Sequence, residues 1–402
     1  MVLEYKASAF LEPVRIAGIH QVKRRIAVVT TSRADYSHLY WPLHDLSRHP
    51  DIDLQVIAMG AHLSREFGRT IGEIESDGFS IAARIDCLMS SDTDVGMAKT
   101  IGMGTLGLAD CLGRIRPDLL LLIADRYEML APASVALALR IPIAHIEGGE
   151  ISEGAIDNTV RHALTKMSHV HFTSTFAARE RVIALGEEEW RVHCAGAPSL
   201  DHLRRDTLLS RQQLEERLNV ELKSSSVVIT YHPVTILRDT TQEVDELFAA
   251  LREVPGQLLF SYPNADAGSR RLIASTEQFV ADRPDTHLFV SLGALTYWSL
   301  LRQVDIMIGN SSSGIMETPS FALPTVNVGM RQQGRERARN ILDAAPERAD
   351  ILAKIAIARS KHFRASLEGM ENPYGDGHAS EKIVEVLASV PLGEKLLIKK
   401  MM

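Results

Sequence analysis

The chain has 402 residues, 45% hydrophobic and 24% charged, with a formal net charge of −7. Such a length exceeds one ordinary core and argues for two domains, while the acidic balance disfavours general binding to nucleic acid or an anionic membrane surface. No stretch reaches the roughly 18 consecutive apolar residues of a membrane span, and Cys87, Cys111 and Cys194 are too scattered for a metal motif or a disulfide framework, which favours a reducing, cytoplasmic setting.

Residues 1–24 lack a basic start followed by an apolar run, so they do not read as a signal peptide. They read as a flexible leader, the alternative being an arm that packs on a partner subunit. Strands and helices then alternate. Arg25–Thr31 is a short β-branched run suited to a strand buried on both faces. A helix follows from about Tyr36 to Arg48, then a strand at Asp53–Met59. Asp118–Ala124 is the most apolar strand, a helix spans 127–140, and further strands fall at Ile141–Ile146 and Val170–Thr173. A break at about 196–225 holds Gly196, Pro198, a polar helix and a serine run. The alternation restarts with strands at Val227–Tyr231, Gln257–Phe260, His287–Val290, Val304–Gly309 and Pro324–Val328. Two such halves predict an α/β protein of two Rossmann-like domains facing across a cleft, with ligands at the carboxyl ends of the strands.

Chemistry-bearing residues cluster at those ends. After the first strand, Arg33 and Ser37 open a helix and could grip a phosphate with help from helix N–H groups; the alternative is a helix cap with a surface arginine. Asp125 and Arg126 leave the apolar strand, either paired to each other or splitting a proton role from an anion role. His145-Ile-Glu147-Gly-Gly-Glu150 offers a core histidine bonded to backbone and carboxylates beside a glycine gap, where desolvation raises a pKa toward neutrality. Asp157 is either a helix N-cap or first-turn acid, or a catalytic carboxylate. In the second half, His232-Pro233 follows a strand, and its imidazole could donate to a phosphate or carry a proton. Asn310-Ser311-Ser312-Ser313-Gly314 forms an anion cradle at a strand-to-helix junction, and Glu317, one turn into that helix, could hold ribose hydroxyls. Arg331 sits in a basic glycine-containing loop and could face a pyrophosphate.

Taken in order, Thr31–Ser37, Asp125-Arg126, His145–Glu150, Ile156-Asp157 with Arg161-His162, His232–Thr235, Asn264–Ser269, Gly309–Gly314, Arg331–Arg335 and Asn372–Gly377 resemble the hydrolysing UDP-N-acetylglucosamine 2-epimerases of sialic acid biosynthesis, from about residue 25 to 390. The non-hydrolysing epimerases carry His-Val-Glu-Ala-Gly and Asp-Ser-Gly-Gly at the positions where this chain has His-Ile-Glu-Gly-Gly and Asn-Ser-Ser-Ser-Gly.

The resemblance implies a glycosyltransferase-B-type fold: a first domain over 25–205 with the acid/base residues, a nucleotide-binding domain over 206–378, and a helix within 379–402 that packs back on the first. It implies loss of UDP from carbon 1 as the carbon 2 proton leaves, a 2-acetamidoglucal-like intermediate, then hydration to N-acetylmannosamine. Asp125, Glu147 and Asp157 match the family's acid/base carboxylates, with His232 beside them. Arg33, Ser37, Arg126, His232, Asn264, Leu292, Ser311, Ser312, Glu317 and Arg331 match its nucleotide contacts. That chemistry requires neither metal nor nicotinamide, and the family favours a homodimer or homotetramer with a UDP-sugar as partner. A rival within the family acts on UDP-linked 2,4-diacetamido-trideoxy sugars of the legionaminic type. A glycosyltransferase or a non-catalytic sugar-nucleotide sensor would share the architecture. Two departures stand out: Ala124 where the family usually has glycine, and Asn158 where many relatives have a second acid.

Overall fold

The structure, a computed structural model, describes residues 23–91, 93–153, 155–234, 241–263 and 268–400. The expected leader, up to residue 22, lies outside the described residues, as do Thr235 and Asn264.

Seven strands build the first sheet: β1 Arg24–Thr30, β2 Ile52–Met59, β3 Ile81–Ile85, β4 Leu119–Ile123, β5 Ile143–Ile146, β6 Val170–Thr173 and β7 Val192–Cys194. They lie in the order β3-β2-β1-β4-β5-β6-β7, all parallel. Six strands build the second: β8 Ser226–Thr230, β9 Gln257–Ser261, β10 Thr286–Phe289, β11 Ile306–Gly309, β12 Thr325–Val328 and β13 Ile341–Ala344. Their order, β10-β9-β8-β11-β12-β13, repeats the pattern of the first sheet, again all parallel. In each sheet the order reverses beside the first strand, between β1 and β4 and between β8 and β11. Those two switch points are where doubly wound sheets leave a crevice for a ligand.

Burial explains the strands. Leu119–Ile123 is wholly buried because helices cover both faces of the sheet. In the second sheet side chains alternate between two cores. Val227 and Ile229 point to one, with Leu258 and Val326, and Val228 points to the other, with Leu259 and Met307.

The helix Ala379–Ser389 returns to the first sheet. Its Ile383, Val384 and Leu387 belong to the same core as Ile26 and Leu43. Asp201 caps its start, accepting the N–H groups of Ala379 at 2.9 Å and Ser380 at 2.8 Å. Beyond it, the buried Arg191 donates to the carbonyls of Leu396 and Ile398, each at 2.8 Å. Among the described residues no helix is long and apolar enough to cross a membrane.

Candidate active site

At the end of β1 the chain turns into the helix Arg33–Arg48. Asp35 sits in its first turn and accepts the N–H groups of Thr31 at 2.6 Å and Ser32 at 2.7 Å. A carboxylate thus holds the two N–H groups just ahead of the helix, those of Thr31 and of the N-cap Ser32. Arg33 is no loose surface arginine: its Nη2 crosses to the carbonyl of Tyr262 in the second domain at 2.6 Å. Ser37 Oγ donates within its own helix to Ala34 O at 2.8 Å.

Asp125 and Arg126 leave β4 and separate. Asp125 pairs with Arg161, and Arg126 donates to the buried Glu128 at 2.9 Å, so the two do not satisfy each other. Ala124, just before them, has φ 59°, a left-handed conformation that costs a residue with a Cβ about 1–2 kcal/mol. Ala124→Gly is therefore expected to raise stability by about 0.5–1 kcal/mol once glycine's greater chain entropy is subtracted. Urea unfolding measures this, and a destabilised variant would refute the strain.

His145 Nε2 lies 2.8 Å from Ala124 O. Burial pushes its imidazole down to about 4, so it is a neutral core residue. Of the two occupants a glycine gap admits, backbone or ligand, the structure places backbone at Gly149. A Cβ on Gly149 would collide with the carbonyl oxygen of Ala178 and lie 2.7 Å from Val182. The turn is packed by this chain's own helix. Its consequence falls on Glu150, whose carboxyl burial drives up to about 7.

Glu147 meets a partner that the sequence did not reveal. His38 Nδ1 lies 2.6 Å from Glu147 Oε1, and His38 Nε2 lies 3.4 Å from Glu317 Oε1. Burial alone would raise the Glu147 carboxyl, but the His38 charge and hydrogen bond, with Arg335 behind, hold it below the usual carboxylate range. Burial likewise opposes the His38 charge, yet Glu147 and then Glu317 outweigh it and carry the imidazole up to about 10.

In the second domain Asn310 fixes the turn after β8. Its Oδ1 accepts His232 N–H at 2.7 Å and its Nδ2 donates to His232 O at 2.8 Å. Asn310 O in turn accepts from Arg331 at 3.1 Å and Gln332 at 2.9 Å. Burial, then the charges of Arg331, Arg33 and Arg126, hold the His232 imidazole well below its ordinary value. Three guanidiniums from both domains thus act on one neutral ring. The buried Ser311 Oγ accepts Ser313 N–H at 3.3 Å. Glu317 is not inside a continuing helix: the turn Ser313–Met316 ends before it. Its Oε2 accepts from Ser313 Oγ at 2.5 Å, and Ser313 is held by Tyr297 OH at 2.7 Å. Leu292 precedes the helix Gly293–Gln303, half-buried beside Ser291.

The segment after β5 and the loop after β12 meet across the cleft. Asp157 is the first residue of the helix Asp157–Met167 rather than its cap, and its Oδ2 lies 3.5 Å from Arg331 Nη2. Glu150 Oε2 lies 3.8 Å from Arg335 Nη1, and Glu153 N–H donates to Gln333 O at 3.1 Å. Carboxylates of the first domain therefore face cations of the second. At the same seam a small cavity is lined by Ser32, Arg33, Phe67, Tyr262, Pro263 and Val290.

A family model described as UDP-N-acetylglucosamine 2-epimerase matches residues 44–388. The chain is 37% identical to the UDP-N,N'-diacetylbacillosamine 2-epimerase (hydrolyzing) of Legionella pneumophila, over 94% of this chain and 98% of that one. The chain belongs to the hydrolysing UDP-N-acetylglucosamine 2-epimerase family. A Campylobacter jejuni relative, GDP/UDP-N,N'-diacetylbacillosamine 2-epimerase (hydrolyzing), is also 37% identical, over 85% of this chain and 89% of its own. The polysialic acid biosynthesis protein P7 of Escherichia coli is 30% identical over 90% and 93%. In fold, the epimerase superposes on a Neisseria meningitidis UDP-GlcNAc 2-epimerase solved with UDP-GlcNAc, with TM-score 0.75 at 18% identity, covering 90% of this chain and 99% of that one.

Sequence reasoning gave no role to His38, Arg161 or Arg335, which the structure brings against Glu147, Asp125 and Glu150. Arg161 carried a usable signal, since it stands four residues after Asp157 on one helix face. His38 carried none beyond its place on the helix that follows β1. Asn158 Oδ1 accepts Ser152 N–H at 2.9 Å, so it shapes the loop that leads to Asp157.

Proposed function

We propose that this epimerase acts on a UDP-2,4-diacetamido-2,4,6-trideoxy sugar, releasing UDP and the free sugar with carbon 2 inverted. The observation that carries the substrate class is the 37% identity to two relatives named for UDP-N,N'-diacetylbacillosamine, against 30% or less for those named for polysialic acid or UDP-N-acetylglucosamine. The expected N-acetylmannosamine product therefore gives way to its 4-acetamido-6-deoxy counterpart.

The reaction needs a carboxylate at carbon 2 and cations at the departing diphosphate. Carbon 2 gives its proton to a carboxylate as the carbon 1–oxygen bond breaks and its electrons leave with UDP. Water then adds its hydroxyl to carbon 1, and carbon 2 regains a proton on the opposite face. In our reading Glu147 and Asp157 lie nearest the sugar, with Asp125 oriented by Arg161. Arg33, Arg126, Arg331 and neutral His232 surround the diphosphate. Ser37, Ser311 and Ser312 supply hydroxyls to it, Glu317 holds the ribose, and Leu292 and Asn264 complete the nucleotide contacts. The contact of Asp157 with Arg331 supports this division, because it brings an acid of one domain to a cation of the other.

Incubation with each UDP-sugar in heavy water, followed by NMR, tests the reading. Deuterium at carbon 2 together with free UDP is expected, with kcat/KM for the diacetamido substrate at least about tenfold above that for UDP-N-acetylglucosamine. Preference for UDP-N-acetylglucosamine would overturn the substrate class, and an intact epimerised nucleotide would overturn the hydrolytic reaction.

A further inference from the structure

His38 has a carboxylate at each ring nitrogen, Glu147 at 2.6 Å from Nδ1 and Glu317 at 3.4 Å from Nε2. A neutral imidazole carries one N–H and one lone pair. In the neutral form, one nitrogen would aim its lone pair at a carboxylate oxygen. Only the doubly protonated ring donates to both. The pair is also shielded: the side chains of His38 and Glu147 are 15% and 6% exposed. Water therefore screens their attraction little.

The surroundings show why Glu147 needs that charge. Glu317 faces it from across the cleft, and Glu150 and His145 adjoin it on its own strand and turn. Arg335, from the loop after β12, is a second cation that acts on it, and it also faces Glu150 at 3.8 Å. Stripped of the imidazolium, Glu147 would be a buried carboxyl beside two other acids, and such a group takes up a proton. A protonated Glu147 cannot receive the proton of carbon 2.

We propose that His38 is a positioning residue, a fixed imidazolium that keeps Glu147 ionised and aimed and braces it against Glu317 of the other domain. The proposal rests on the reading of Glu147 as an acid/base carboxylate of the reaction. His38 has no required contact with substrate, and it acts through Glu147.

Three proteins test it: wild type, His38→Gln and His38→Lys. Gln keeps a hydrogen bond without charge, and Lys keeps charge without the ring. In His38→Gln, kcat is expected to fall about 10²-fold at neutral pH with a much smaller change in KM. The acid limb of its kcat/KM profile is expected to move up by about one unit or more. His38→Lys is expected to return the limb to the wild-type position and to recover most of the rate. An unmoved acid limb in His38→Gln overturns the proposal. A second measurement needs neither variant nor reaction. Nitrogen-15 NMR of the free wild-type protein should show His38 doubly protonated at pH 8, and a neutral tautomer there overturns the proposal even if the variants fail to fold. Absence of UDP release from every UDP-sugar by wild type would defeat the functional reading alone, while the NMR titration would still decide the state of the pair.

Discussion

Glu147→Gln is expected to fold, to bind UDP with near wild-type affinity, and to lose roughly 10³-fold in kcat. The amide matches the carboxylate in shape, so the turn after β5 and its N–H bond to Phe172 O at 2.7 Å remain. It cannot take a proton from carbon 2. Coupled detection of UDP release and calorimetry with UDP separate the two effects. A variant with more than a tenth of wild-type turnover would remove Glu147 from the chemistry. Stability gives a second signature. His38 rises from 6.5 to about 10 in the folded protein. Its pair with Glu147 therefore stabilises fully below about pH 6.5, and that stabilisation is lost as pH rises through about 10. Wild type should lose melting temperature over that window, and Glu147→Gln should lose less.

Gly309→Ala is expected to cost about 3 kcal/mol or more. Gly309 ends β11 at φ 146°, where its missing Cβ leaves room for the neighbouring strand. A Cβ there would collide with the carbonyl oxygen of Thr230 and lie 2.7 Å from the carbonyl carbon. Both atoms are backbone of β8, so no rotamer relieves the clash. The strands must part at the switch point of the second sheet, and Asn310 then loses its grip on His232. Thermal melting should fall by roughly 6–12 °C, with UDP binding weakened more than overall stability suggests. Gly72→Ala is the control, because its added Cβ would meet nothing within 4 Å. Equal effects of the two substitutions would show that the Thr230 contact is not decisive.

The legibility of the fold followed burial. Runs such as Leu119–Ile123 announce themselves because both sheet faces are covered. The three strands that pattern reading missed, β3, β7 and β13, all lie at sheet edges. There only some residues are buried, and Ile81–Ile85 alternates with a charged and small set that resembles a loop. Positions of chemistry were legible for the same reason ligands gather there, since strand ends at a switch point collect polar residues. Pairing was not legible. Asp125 chose Arg161 over its neighbour Arg126, and Glu147 chose His38, more than 100 residues earlier in the chain. Such choices are made by packing between elements distant in sequence, which local periodicity does not encode. The glycine pair left two readings open for a related reason: Gly149 admits Ala178 of this chain's own helix, and a sequence cannot distinguish that from room for a ligand.

The seat of the helix Ala379–Ser389 bears on how a cell makes this molecule. Synthesis proceeds at about 5–20 residues per second, so roughly 10–40 s separate the emergence of β7 from that of the helix whose Ile383, Val384 and Leu387 complete the first core. Through that interval the nascent chain carries an open greasy trough, a natural target for ribosome-associated chaperones. The half translated first is the half finished last.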